Sequence, residues 1–299
     1  MSEHHGPWRR ATVALALCGA TAVVAVAPAM PASAAVPGLV RISAVSATNS
    51  NDFRTVTATC PAGKVLTGTG YELTGAAGEA IVDDLRPNGG VATAPTAVTV
   101  GAYEADPFAG NWSLTAYAIC ANPVPGLVRA TVTSASNSND FRSAILSCPA
   151  GKVLTGTGYE LNGATGEAVV DDLRPNGGPA TAPTALTVDA YEADPFAGNW
   201  SLTGYAICAN PVPGLVRATV TSATSSSDFR SAVAPCPAGK VLTGAGYALN
   251  GATGEAVVDD FRPNGSTVTA PTSITSGAYE EDAFAGNWNL TSYAICATA

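Results

Sequence analysis

Histidine occurs only at positions 4 and 5, charged residues make up 12% of the 299, and no run of about 20 apolar residues follows the first 35 positions. Each scarcity excludes something. Without histidine in the body of the chain, Ser-His-Asp and Cys-His catalysis and histidine-ligated zinc are all ruled out there. A net charge of −9 argues against nucleic-acid or anionic-membrane partners, because either requires a basic patch to displace counterions. No Cys-x-x-Cys pair or Cys/His cluster supplies a metal site, and the expectation is of a protein that is not an enzyme.

The N-terminus predicts export. Arg9 and Arg10 precede an apolar run from Ala11 to Val26, and Ala32-Ser33-Ala34 offers the small residues of a cleavage site. Residues 1–34 read as a signal peptide, giving a secreted, extracellular chain from Ala35 with no membrane span. Cys18 lies in the apolar run, but Leu17 stands where a lipidation signal requires a small residue.

What is abundant is repetition. Pro-Gly-Leu-Val-Arg begins at Pro37, Pro125 and Pro213, dividing the chain into units 37–124, 125–212 and 213–299. Only 17 of 88 positions differ between the first two units, so near-identity cannot single out functional residues. Six cysteines remain after the leader, two per unit. An even count in an exported chain reads as disulfides, and the simplest connectivity is Cys60 with Cys120, Cys148 with Cys208 and Cys236 with Cys296.

Each unit predicts about six short strands, at 39–47, 55–60, 65–73, 80–86, 96–104 and 111–120 in the first. They are separated by the turn signals NSND, CPAGK, GAAGE, RPNGG and DPFAG, with no 3.6-residue apolar period. The fold class is all-β: three tandem small antiparallel β-sandwich or jelly-roll-like repeats, each with one disulfide. Three beads joined by stiff Asn-Pro-Val-Pro-Gly links are the preferred arrangement; a closed pseudo-threefold body with a shared core is the alternative. Gly68 and Gly70 are expected to allow close approach around the bridge.

CPAGKVLTGTGYEL followed by NWSLTAYAICA resembles a repeat of exported actinobacterial proteins. Its form is Cys-Pro-x-Gly, then Gly-x-Gly, then a Trp strand ending Ala-Tyr-Ala-x-Cys-Ala. The resemblance covers each unit from first to second cysteine and implies secretion and β architecture. A fainter likeness to dermatopontin-type modules implies extracellular adhesion.

Three features could carry chemistry. VDDLRPNGG at 82–90 recurs at 170–178 and, as VDDFRPNGS, at 258–266. Neighbours on a regular strand face opposite ways, so Asp83 is expected inward, needing Arg54 or Lys64 as a partner, and Asp84 outward, paired with Arg86. RPNG reads as a tight turn. Asp52-Phe53-Arg54 reads as another turn with a local ion pair.

The acidic segment AYEADPFAGNW supplies oxygen ligands that could hold Ca²⁺ at Glu104 and Asp106, Glu192 and Asp194, and Glu280 and Asp282, with Asn111 returning across the turn. An exposed acidic turn is the plainer reading. Tyr103, Glu104, Asp106, Asn111 and Trp112 also form a candidate sugar-binding patch, with counterparts Tyr191, Glu192, Asp194, Asn199 and Trp200, and Tyr279, Glu280, Asp282, Asn287 and Trp288. Trp112 shares parity with Leu114 and Ala116, which favours core packing. The functional expectation is a multivalent binding or adhesion protein for a glycan or cell-surface polymer. The alternatives are a structural envelope- or spore-associated protein and, behind it, a secreted enzyme inhibitor.

Overall fold

The repeats carry the expected strands. In repeat 1 these are β1 (Val40–Val45), β2 (Phe53–Thr59), β3 (Val65–Thr74), β4 (Ala80–Pro87), β5 (Ala97–Glu104) and β6 (Ser113–Ala121). Repeat 2 has β7 (Val128–Thr133), β8 (Phe141–Ser147), β9 (Val153–Asn162), β10 (Ala168–Pro175), β11 (Ala185–Glu192) and β12 (Ser201–Ala209). Repeat 3 has β13 (Val216–Thr221), β14 (Phe229–Pro235), β15 (Lys240–Asn250), β16 (Ala256–Pro263), β17 (Ser273–Glu280) and β18 (Asn289–Thr298). The structure, a computed structural model, describes residues 1–3 and 36–299. The apolar leader, Cys18 and the cleavage point after Ala34 lie outside the described residues. Among the described residues no helix is long and apolar enough to cross a membrane.

Within each repeat two three-stranded leaves pack face to face. In repeat 1 these are β1-β6-β3 and β2-β5-β4. Val56, Ala58 and Cys60 turn toward Leu114, Ala116, Ala118 and Cys120, as strand alternation requires. All three expected disulfides form, Cys60–Cys120, Cys148–Cys208 and Cys236–Cys296. Each joins the two leaves of one repeat.

The leaves do not stop at the repeat boundary. β4 pairs with β9, β10 with β15, and β16 with β3, all antiparallel, so each six-stranded sheet takes three strands from one repeat and three from the next. The third pairing returns to the first repeat and closes the ring. The expectation of separate beads is therefore overturned, and one apolar cluster runs through all three repeats. The physical reason lies in β3 and β4. In a bead they would be edge strands with unpaired backbone groups, which the neighbouring repeat satisfies.

Gly-x-Gly makes this closure possible, and not the approach to the disulfide expected from sequence. A Cβ on Gly68 would lie 2.3 Å from Thr243 O, on Gly156 2.2 Å from Thr67 O, and on Gly244 2.1 Å from Thr155 O. The three strands thus touch backbone to backbone around the pseudo-threefold axis. Thr69 Oγ1 donates to Thr157 O at 2.7 Å and Thr157 Oγ1 to Ala245 O at 2.7 Å. One layer further, Tyr71, Tyr159 and Tyr247 are wholly buried together. Burial raises the phenol pKa of each.

Candidate functional site

The VDD segment sits at the seams between repeats. Pairing of β4 with β5 shifts register between Val82 and Asp84, so Asp83 is the extra residue of a bulge, and the same shift occurs at Asp171 and Asp259. Asp83 is 4% exposed, and its Oδ2 accepts from Gly166 N at 3.3 Å in the turn after β9 of the next repeat. Asp171 does the same for Gly254 N at 3.5 Å and Asp259 for Gly78 N at 3.3 Å.

The expected basic partner is absent. Arg54 stacks over Trp112 with its guanidinium 4.4 Å from the ring and bonds backbone oxygens, including Asn51 O at 2.9 Å. It also has no ion pair with Asp52. Lys64 Nζ holds Gly38 O at 2.6 Å and Asn122 Oδ1 at 2.9 Å. Burial therefore raises the pKa of Asp83 well above the usual carboxylate range, with Asp84 and Asp52 adding to the effect against the pull of the Gly166 N–H. Through that bond the carboxyl links one repeat to the next.

The Asp84–Arg86 pair expected within a strand forms only in repeat 2, where Arg174 Nη2 lies 3.3 Å from Asp172 Oδ2. In the other two seams the arginine crosses to the neighbouring repeat, Arg86 to Glu160 at 2.8 Å and Arg262 to Glu72 at 3.1 Å. Ala248 stands where Glu72 and Glu160 stand, so Arg174 meets no carboxylate from the neighbouring repeat. In the RPNG turn, Asn88 Oδ1 accepts from Thr96 N at 2.6 Å and Ala97 N at 3.0 Å. Pro87 covers Gly158 of the next repeat. The motif is a seam clamp.

Repeat 2 also contains a carboxyl pair the sequence reading did not find. Asp189 replaces Gly101 and Gly277, and it lies directly across from Asp172 on the adjoining strand. Burial, opposed by Arg174 and reinforced by Asp189, pushes Asp172 up to about 6. Finding the pair requires the bulged register; the visible signal was Asp-Ala-Tyr-Glu against Gly-Ala-Tyr-Glu in the sister repeats.

The acidic segments line one end of the body. Each borders a cleft between the loop after the fifth strand of one repeat and the turn after the third strand of the next. The first, about 370 Å³, is lined by Asp52, Tyr103, Glu104, Asp106, Thr165 and Glu167. The second, about 320 Å³, is lined by Asp140, Tyr191, Glu192, Asp194, Thr253 and Glu255. The third, about 320 Å³, includes Glu79, Asp228, Glu280, Glu281 and Asp282. Glu281 occupies the place of Ala105 and Ala193. Burial and then Asp282, Asp194, Asp106 and Glu255 push it up to about 7. Ala105 and Ala193 pack on one shared cluster of Ile81, Val169 and Val257, which brings the loops of the repeats together.

Glu104, expected as a calcium ligand, is committed elsewhere. Its Oε1 accepts from Trp112 Nε1 at 2.9 Å and its Oε2 from Phe108 N at 3.1 Å. Glu192 and Glu280 repeat both bonds. Asp106, Asp194 and Asp282 are exposed, as are Asn111, Asn199 and Asn287, and none of these asparagines lines a cleft. Among the described residues no three acidic side chains form a group able to hold a metal ion. Trp112, Trp200 and Trp288 are fully buried, so the core-packing reading describes them and they offer no sugar platform.

The exposed aromatic surface belongs instead to Phe53 at 41%, Phe141 at 43% and Phe229 at 41%. Each ring pairs across strands with a half-buried tyrosine: Phe53 with Tyr103 at 4.4 Å, Phe141 with Tyr191 at 4.7 Å and Phe229 with Tyr279 at 4.5 Å between centroids. The phenylalanines escaped the sequence reading because they follow an apparent turn, whereas they open β2, β8 and β14. Fold and site together define an all-β, disulfide-bonded, pseudo-threefold protein with three clefts at one end. Compared with known proteins, the chain matches no family model and no curated protein.

Proposed function

We propose that this is an exported, non-enzymatic, trivalent adhesion protein whose three end clefts each hold a neutral or basic sugar of a repetitive extracellular polysaccharide. The observation that carries the reading is the grouping of three clefts at one end, each with acidic acceptors and two of them lined by a tyrosine that packs against an exposed phenylalanine. An aromatic face beside carboxylates suits a pyranose ring, and carboxylates accept from its hydroxyls. Clefts on one rigid end engage neighbouring units of a polymer at once, so weak sites gain avidity. Export is supported by the leader and by three disulfides, which persist in oxidising compartments.

The test is a stepwise series on the assembled protein: Phe53→Ala, then Phe53→Ala with Phe141→Ala, then all three with Phe229→Ala. Retention on isolated cell-wall polysaccharide is expected to fall about 10-fold or more with each lost site, because avidity multiplies. Retention unchanged by the triple variant would remove the clefts from consideration. It would favour the second reading, a structural envelope protein, which the ring closure and the disulfides also suit.

A further inference from the structure

The three seams offer an internal comparison on the outer sheet faces, away from the end clefts. In the seam between repeats 1 and 2, the Glu160 carboxylate is held by Tyr205 Oη and by Arg86 Nη1 at 2.8 Å, while Arg129 lies over the Tyr205 ring at 4.7 Å. The seam between repeats 3 and 1 repeats this with Glu72, Tyr117, Arg262 at 3.1 Å and Arg41. Two independent seams thus show a carboxylate gripped by the same hydroxyl and guanidinium. In the seam between repeats 2 and 3 the tyrosine, Tyr293, and both arginines, Arg174 and Arg217, are in place. The glutamate is replaced by Ala248. Among the described residues Tyr293 Oη has no hydrogen-bond partner, whereas Tyr205 and Tyr117 each hold their glutamate, and the Arg174 side chain is 45% exposed.

We propose that the seam between repeats 2 and 3 binds a small carboxylate, held by Tyr293 Oη and Arg174 in the place that the Glu160 and Glu72 carboxylates take in the sister seams. Arg174 and a carboxylate match as fork to fork, and the tyrosine hydroxyl adds a charge-assisted bond. Ala248 and Tyr293 are buried, and solvent reaches the site along the half-exposed Arg174; in the sister seam the equivalent Arg41 and Arg262 border a groove of about 260 Å³ with Pro263, Asn264 and Thr275.

The charges around the site set its pH dependence. It is faced by Asp172 and Arg174 from β10, Asp189 from β11, Arg217 from the strand beside Tyr293, and Tyr293 itself on β18. With both aspartates ionised the four charges cancel, as Asp84, Glu160, Arg86 and Arg129 cancel in the first seam. Asp172 takes up a proton as pH falls through about 6, which leaves a net positive site while a ligand carboxyl of pKa about 3.5 remains ionised. Binding strengthens between about pH 7 and pH 5.

Calorimetric titration of the whole protein with glucuronate, acetate and glucose at pH 5 and pH 8 tests the proposal. The expected result is one glucuronate per chain, about 10-fold tighter at pH 5, with acetate binding the same site and glucose not binding it. Ala248→Glu combined with Asp189→Gly, which rebuilds the composition of the sister seams, abolishes the binding. Glu160→Ala creates a second site, raising the stoichiometry to two, and this site lacks the Asp189 counterpart and holds its ligand at pH 8. Glucose matching glucuronate, glucuronate binding untouched by the rebuilt seam, or a stoichiometry of one in Glu160→Ala would each overturn the proposal.

Discussion

Asp83, Asp171 and Asp259 stand buried at the seams with a backbone N–H each and, among the described residues, no salt-bridge partner. Because their folded pKa values are raised, they favour folding fully below the unfolded value of about 3.9, and that contribution is lost as pH rises through the folded pKa. The protein is accordingly expected to melt at its highest temperature in acid. Changing all three to asparagine should flatten the decline and raise the melting temperature at pH 7 relative to the parent, as thermal melts from pH 3 to 8 would show. A decline of undiminished slope would place the titration on other groups. At this scale the sequence was half legible. That the two adjacent acids part company could be read from it, but the mechanism is a bulge rather than strand alternation, and whether Arg86 stays home or crosses the seam depends on a residue in another repeat.

The third strand of each repeat explains why the elements were readable and their assembly was not. Valine, threonine and turn residues place β3 within a residue or so of its observed bounds, because local propensity decides existence and length. Its burial pattern has almost no exposed alternation, the mark of a strand covered on both faces and paired on both edges. VLTGTGYEL hinted at this by lacking charged residues until Glu72, yet a bead model made it an edge. The glycines are the sharpest probe. Gly156→Ala would set a Cβ against the backbone at Thr67, which has no flexible end to move aside. The expected loss is about 3 kcal/mol or more, at the upper end of overpacking costs, measurable by denaturant unfolding. Stability within error of the parent would refute the backbone contact at the axis.

At the scale of the whole molecule, repeats 1 and 3 meet through β3 and β16 although all of repeat 2 lies between them in the chain. Ending the chain after Val212 should therefore leave β3 and β10 with unpaired edges. The shortened protein is expected to associate or stay unfolded, as light scattering and circular dichroism would report; a stable monomer would show that the repeats can stand alone. This long-range pairing is what a sequence of near-identical units conceals, since any unit could pair equally well with itself, its neighbour or another molecule.

Each repeat is sealed at the end of its own last strand: Asn122 N donates to Pro37 O, Asn210 N to Pro125 O and Thr298 N to Pro213 O, each at 3.0 Å. The covalent joints between repeats thus duplicate connections that the strands already make, and a chain that began at another unit but kept the cyclic order would form the same three seams. Copy number is another matter. With three seams closing on three glycine contacts, a fourth tandem unit would find no partner edge, so duplication of this gene segment is constrained to stop at three or to begin a second ring.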